Sequence, residues 1–237
     1  MSGYFENLKK LCDENGIYLD ALAKERFETY KSMLIEANKS VNLTAITEPG
    51  EIYIKHFFDS MLFFKAAKVD KNAKIIDVGT GAGFPGLVLK IARPDIKLTL
   101  LDGLNKRLIF LENVLLKLGL EAEIRHMRAE EGGKDKKLRE SFDFATARAV
   151  KNLPVLCEYC LPYVKLCGNF IALKGASGEE ELEAAANAIK LLGGKTESVL
   201  RENLPGGDKR VIINIKKISQ TSPKFPRDNA KISKKPL

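Results

Sequence analysis

The chain has little from which a secreted or membrane architecture could be built. Its four cysteines, Cys12, Cys157, Cys160 and Cys167, form no disulfide framework, which points to a reducing compartment. No uninterrupted apolar run approaches the ~20 residues of a membrane span, so no membrane partner is expected. The opening residues Met1-Ser2-Gly3-Tyr4-Phe5-Glu6 lack a basic stretch followed by an apolar core. No signal peptide is therefore expected, and the expected location is cytoplasmic. Internal repeats and low-complexity tracts are also missing. Cys157-x-x-Cys160 falls inside a helical pattern from Leu153 to Leu161, with no second Cys or His pair suitably placed. Two small buried thiols on a helix explain it better than a metal or redox centre, and no metal site is expected.

What is present is a 237-residue chain of ordinary apolar content, enough for one large domain with short additions. Its net charge of +8 permits a polyanionic partner without demanding one. The distribution says more. From Lys216 onward stand Lys216, Lys217, Lys224, Arg227, Lys231, Lys234 and Lys235, against the single acid Asp228. With prolines and few large apolar groups, this segment reads as an irregular basic arm, suited to phosphates or merely to solubility.

Apolar spacing predicts helices over roughly the first 60 residues. Phe5, Leu8, Leu11 and Cys12 share one face; Leu22, Phe27, Tyr30, Leu34 and Ala37 share another; Glu48-Pro49-Gly50 opens a third helix running through His56. Strands are then expected near 73–78, 96–101, 121–126, 142–147, 169–174, 195–202 and 210–217, with helices between most of them. Leu104, Leu108, Leu111, Leu115 and Leu118 mark the clearest helix. Such β-α alternation implies a doubly wound, mostly parallel seven-stranded sheet with ligands at the C-terminal strand ends. Gly206-Gly207 between the last two strands predicts a hairpin and so an antiparallel edge strand. The expected organisation is a helical extension over 1–66 packed on the core, the main α/β domain over 67–218 and a basic tail over 219–237.

The most informative stretch is Ile75-Ile76-Asp77-Val78-Gly79-Thr80-Gly81-Ala82-Gly83-Phe84-Pro85-Gly86, a strand passing through a glycine-dense turn into a helix. Gly81-x-Gly83-x-x-Gly86 formally satisfies the dinucleotide pattern, a weak signal alone. In a dinucleotide site, however, a carboxylate just before the glycines would repel the pyrophosphate. Asp77 in that position suits a ligand with a cationic amino-acid end and no phosphate, which describes S-adenosylmethionine. Asp102, at the end of the second strand, can accept from both ribose hydroxyls or cap the helix that follows. Met127-Arg128-Ala129-Glu130-Glu131, after the third strand, occupies the adenine-facing position of such folds. The fourth strand delivers Arg148 to the reaction edge.

Absence narrows the chemistry here too. Methylation of an exocyclic amine usually involves a polar residue, two prolines and an aromatic group after the fourth strand, and this chain has Ala147-Arg148-Ala149-Val150. Carbon methylation of a pyrimidine would need a nucleophilic cysteine beside a proline, which this region does not offer. Guanine N7 already has a free lone pair and needs no proton removed, so positioning and electrostatics can supply most of the catalysis. An arginine forked onto guanine O6 or a phosphate suits that demand.

Together these residues resemble the RsmG family, also called glucose-inhibited division protein B, of bacterial small-subunit ribosomal RNA guanine-N7 methyltransferases. The likeness covers nearly the whole chain and includes Asn42-Leu43-Thr44, His56-x-x-Asp59-Ser60, the Asp77–Gly86 turn, Leu104-Asn105-Lys106-Arg107, Arg128-Ala129-Glu130-Glu131, Ala147-Arg148-Ala149 and Lys174-Gly175. It implies the class I S-adenosylmethionine-dependent methyltransferase fold and a guanosine substrate in the 530 loop of 16S RNA. It also implies that Gly79, Phe84, Ala129, Glu130 and Arg148 contact the methyl donor or lie beside it. The expected donor site is then Asp77, Gly79, Gly81, Gly83, Phe84, Asp102, Ala129, Glu130 and Arg148, with Arg148 also the catalytic residue. Lys106, Arg107, Lys174, Lys224 and Arg227 are expected to hold RNA, the partner being 16S RNA in the small ribosomal subunit or its assembly intermediate, and the protein a monomer. His56 is either a packing residue or part of the site, and Asn42 either lines it or caps its loop. The tail departs from the family in part: Pro223-Lys224-Phe225-Pro226-Arg227 and Lys235-Pro236-Leu237 are similar to the family ending, while Asp228-Asn229-Ala230-Lys231-Ile232-Ser233 replaces a glycine-containing basic stretch. The alternative reading is a non-catalytic RNA-binding assembly factor on the same scaffold.

Overall fold

The computed structural model describes residues 3–237. Ile75, Ile76, Asp77 and Val78 are all buried, the pattern of a central strand covered on both faces. They form β1 (Lys74–Val78), the middle of a sheet ordered β3-β2-β1-β4-β5-β7-β6. The others are β2 (Lys97–Asp102), β3 (Glu123–His126), β4 (Phe142–Arg148), β5 (Val164–Lys174), β6 (Gly194–Asn203) and β7 (Lys209–Lys217). Pairing is parallel from β3 through β5, while β7 runs antiparallel to both β5 and β6. The hairpin therefore forms as its glycines predict, with Gly206 and Gly207 at φ 101° and 93°. The edge expectation is refined: the strand that runs against the rest is second from the edge, and β6 is outermost.

The N-terminal helices are α1 (Tyr4–Glu14), α2 (Ala23–Val41) and a helical run over 49–66, called α3, whose Ile52–Phe58 portion is π-helical. They share one apolar core with the sheet face that carries the glycine turn. Phe27, Tyr30, Tyr53 and Phe57 interlock there, and Tyr30 lies 5.7 Å from the Phe84 ring. Leu22 and Leu104 do not join the buried faces predicted for them. Each sits at an N-cap, outside the helical periodicity, and is about half exposed.

The opposite face is covered by α7 (Leu153–Cys160), α8 (Gly178–Ala184) and α9 (Ala186–Leu191). On the first face, α4 (Gly86–Ala92) and α5 (Asn105–Leu118) pack with the N-terminal helices, while the short α6 (Ala129–Gly132) lies against the second core. Cys157 and Cys160 are buried in α7, as the helical pattern implies.

The C-terminal segment is not an irregular arm. It folds back as a strap ending in α10 (Asn229–Lys234), with Phe225 and Ile232 buried in the second core. Each such side chain contributes about 1.5–3 kcal/mol. Arg139 donates to the carbonyls of Thr221, Ser222 and Phe225, and Lys134 pairs with Asp228. No helix of the described residues is long and apolar enough to cross a membrane.

Candidate active site

The glycine turn is built from underneath. Leu101 O, in β2, accepts from the amides of Gly79 and Thr80 at 2.8 and 3.1 Å. Asp77 Oδ2 accepts from Thr80 Oγ1 at 2.6 Å and from the Gly86 amide at 2.8 Å. Full burial lifts the Asp77 carboxyl from 3.8 to about 6, against the pull of those two donors, and its Oδ1 has no partner. A Cβ at Gly83 would stand 2.7 Å from Tyr30 Oη and 2.8 Å from Leu111. Asp77 and Gly83 thus brace the turn from below and do not themselves line the cleft above it. Gly81 differs: at φ 61°, a Cβ there would meet nothing within 4 Å, and the residue faces the open cleft.

The ends of β2 and β3 supply the next stretch of wall. Asp102 Oδ2 accepts from the Gly81 amide at 2.9 Å, with Arg107 3.5 Å away. Its Oδ1 accepts from the Leu104 amide at 2.8 Å. That contact turns the chain toward α5, whose N-cap is Leu104 rather than Asp102. Ala129 and Glu130 open α6, so their amides have no acceptor inside the helix and are free for a ligand. Of the residues expected to bind the donor, Asp102, Ala129, Glu130, Gly79 and Phe84 all line the cleft.

Across the cleft stands an arginine cluster. Arg148 ends β4, and Ala149, at φ 56°, turns the chain sharply away from the sheet. The Arg148 guanidinium lies 4.9 Å from the Phe84 ring centroid, and the His56 ring stacks on the same ring at 4.3 Å. Arg148 Nη1 donates to the carbonyls of Lys55 and His56 and to Asp59 Oδ2, the last at 3.1 Å. The π-helical turn prepares this contact: the Asp59 amide reaches Ile54 O, past the Lys55 carbonyl that an α-helix would assign to it. Asp59 Oδ1 accepts from Arg210 Nε at 2.9 Å, so one carboxylate serves two arginines. A net positive charge remains on this wall.

His56 is set by its neighbours. Nδ1 faces Arg148 Nη2 at 3.3 Å and must accept. Nε2 therefore carries the proton and donates to Thr44 Oγ1 at 2.7 Å. Burial, and secondarily Arg148, push the ring from 6.5 down to about 3, so it is neutral at physiological pH. Asn42 ends α2 in the left-handed conformation, at φ 50°, and is not among the residues lining the cleft. Asn38 then holds the loop, its Oδ1 accepting from the amides of Leu43 and Thr44.

The cleft between these walls measures about 940 Å³. Of the expected RNA contacts, Arg107 lines it and Lys106 stands exposed at the start of α5. Lys224 is exposed, its ammonium over the Phe225 ring. Lys174 reaches the cleft but is buried, paired with Glu181 at 2.7 Å and bonded to Lys151 O. Arg227 is bound through its amide and guanidinium to the fully buried Glu158. Neither of these two presents a free charge to a polyanion. Sequence reasoning missed Arg210, Lys55 and Lys151 as cleft residues, and Tyr159, Asn229 and Ser233 from the far side. Asp59 stood inside a recognised motif; Arg210, on a distant hairpin strand, carried no local signal.

A family model described as rRNA small subunit methyltransferase G matches residues 23–210. The chain is 49% identical over 236 residues to the ribosomal RNA small subunit methyltransferase G of Clostridium perfringens (strain 13 / Type A), covering 99% of each. It is 50% identical over 226 residues to the protein of that name from Thermoanaerobacter sp. (strain X514), covering 94% of each. Among solved structures, an S-adenosylmethionine-dependent O-methyltransferase from Thermotoga maritima superposes with TM-score 0.53 at 17% identity, over 80% of this chain and 72% of that one. A 16S rRNA (adenine(1408)-N(1))-methyltransferase from Catenulisporales acidiphilia gives 0.53 at 13% identity, over 72% and 92%. At such identities the structures speak for the fold alone: a methyltransferase-type α/β sheet. The family match and the near full-length relatives go further: this chain belongs to the rRNA small subunit methyltransferase G family.

Proposed function

We propose that this protein transfers the methyl group of S-adenosylmethionine to N7 of a guanosine in the 530 loop of 16S ribosomal RNA, within the small subunit or its assembly intermediate. The observation that carries this reading is the pairing, in one cleft of a chain from this family, of a phosphate-averse donor wall with a buried arginine wall.

The donor wall fits S-adenosylmethionine by its chemistry. Gly81 leaves bare main chain open to the cleft, Asp102 offers a buried carboxylate to hydroxyl donors, and the Ala129 and Glu130 amides offer donors to a purine. When bound, the cofactor supplies a methyl group on a sulfonium, already activated toward a neutral nucleophile. Asp102 near the glycine turn disfavours a pyrophosphate there and tolerates that positive ligand.

Guanine N7 brings its own lone pair, so this chain need not remove a proton. His56 suits that demand: it is neutral, its Nδ1 is occupied by Arg148, and it serves to orient the guanidinium. Burial lowers the Arg148 pKa while Asp59 opposes it, and arginine stays charged. Its Nε has no protein partner among the described residues, leaving a fixed donor for guanine O6 or a phosphate. Arg107 and Lys151 on the cleft wall, with the exposed Lys106 beside Arg107 in the chain, supply cations for the RNA backbone, a contact that weakens steeply with salt. In this reading residues 67–218 carry the donor site, and residues 1–66 complete the arginine wall.

The test is incubation of the protein with labelled S-adenosylmethionine and small-subunit particles, followed by mapping of N7-methylguanosine through cleavage at the modified base. Label at a 530-loop guanosine is expected. Measurable donor binding with no label in RNA would sink the enzymatic reading and favour the assembly-factor alternative.

A further inference from the structure

The strap that closes the C-terminus also forms part of the donor cleft. Tyr159 on α7 and Asn229 and Ser233 on α10 line the cleft on the side of Met127, Ala129 and Glu130. Two consecutive residues of α7 grip the strap: Glu158 binds Arg227, and the Tyr159 hydroxyl binds Asn229 Oδ1 at 2.5 Å. That separation is an O–H···O distance, shorter than an amide N–H would make, so the tyrosine donates and the oxygen end of the amide is identified. Ser233, one helical turn on, donates to the same oxygen at 3.2 Å. Both donors hold the amide in one orientation. Its Nδ2 then carries two hydrogens with no protein partner among the described residues.

We infer that Asn229 is an adenine-reading residue of the donor site, its Nδ2 donating to a ring nitrogen of the purine, with Tyr159 and Ser233 as the positioning residues that aim it. This rests on the proposed donor reading and extends it to a segment outside the α/β domain. Adenine offers unprotonated ring nitrogens on its edges, and each is an acceptor for such a donor. Because Phe225, Ile232 and the Glu158–Arg227 pair already dock the strap, the amide is ordered before the ligand arrives and loses little entropy on binding. The stretch Asp228–Ser233, where the sequence leaves the family pattern, is thus the stretch that reaches the cofactor.

The experiment is calorimetric titration of the full chain with S-adenosylhomocysteine and, separately, with S-ribosylhomocysteine, which lacks the base. Asn229→Asp keeps an acceptor for Tyr159 and Ser233 but removes the Nδ2 donor. It is expected to weaken S-adenosylhomocysteine binding about three- to tenfold, the range of one hydrogen bond, and to leave S-ribosylhomocysteine unchanged. Asn229→Ala should show at least the same loss, and Lys231→Ala, on the outer side of α10, none. Equal affinities of wild type and Asn229→Asp for S-adenosylhomocysteine would overturn the inference, as would an equal loss for both ligands. Failure of the wild-type chain to bind S-adenosylhomocysteine at all would overturn the donor reading itself, and this inference with it.

Discussion

The two walls of the cleft are held together by different forces. The donor wall, from Gly79 through Asp102 to Glu130, comes from three strand ends and is fixed by main-chain hydrogen bonds, with Leu101 O and Asp102 as the common acceptors. The arginine wall joins α3, the end of β4 and the start of β7, and is fixed by charged side chains withdrawn from water. A wall held through its amides is sensitive to backbone freedom and to the few carboxylates, Asp77 and Asp102, that accept from those amides. A charge-held wall fails through its side chains, because one carboxylate removed leaves two cations without compensation.

Asp59→Ala breaks the second wall most completely. Asp59 is 4% exposed and serves both Arg148 and Arg210, so its loss is expected to cost about 3–5 kcal/mol in chemical denaturation. A cost below 1 kcal/mol would show that the charges are not coupled. Arg148→Lys keeps a charge but removes the fork. Methyl transfer in single-turnover assays should fall about 100-fold or more, with donor affinity far less affected. Equal losses in both would place Arg148 in donor binding only.

The first wall is sharpened by comparing two glycines. Gly83→Ala drives a methyl group against Tyr30 and Leu111 at φ 105°, and should cost about 1–3 kcal/mol of stability. Gly81→Ala meets open space, so its stability cost should be smaller and its effect should fall on S-adenosylhomocysteine affinity. If both variants lose the same stability, the division between brace and cradle is wrong.

The smallest effect is one of pH and pits one wall against the other. The folded chain keeps His56 neutral down to about 3, so the stability it contributes is complete above 6.5 and lost as pH falls toward 3. Asp77, raised to about 6, acts in the opposite sense: its contribution is complete below 3.8 and lost as pH rises through 6. Between roughly pH 6 and 4 the two slopes, each about 1.4 kcal/mol per unit, cancel. Asp77→Asn removes one of them. Denaturation from pH 6.5 to 4.5 should show the variant losing stability faster than wild type, by up to about 1.4 kcal/mol per unit. Parallel curves would mean that Asp77 is ionised in the folded protein.

Strands β1 to β4, the glycine turn and the hairpin could be read from alternation and turn residues, since these are local signals. The first half of β5 could not. Lys165, Leu166 and Cys167 are exposed, so that stretch lacks the apolar run that marks its second half. The strap was misread for a related reason. Phe225 and Ile232 are two apolar residues among many cations, and their docking depends on Arg139 and Glu158, which lie far away in sequence. The same distance explains Arg227, whose partner Glu158 lies 69 residues away, whereas Lys174 pairs with a near neighbour in the chain, Glu181 of α8.

By itself the sequence determined the backbone course of the first wall. Alternating glycines, an acid at the end of the second strand and the start of α6 are consecutive features of one β-α series, and their backbone requirements are local. Only the tertiary structure decided which of those residues face the cleft and which support them from below, because Gly81 and Gly83 are indistinguishable until the turn has direction. It also decided that Arg148, Asp59 and Arg210 form one charged unit, and that a basic tail is a wall of the cleft. Those outcomes depend on burial and on charges meeting across 89 and 151 residues of chain, distances at which sequence carries no periodic signal.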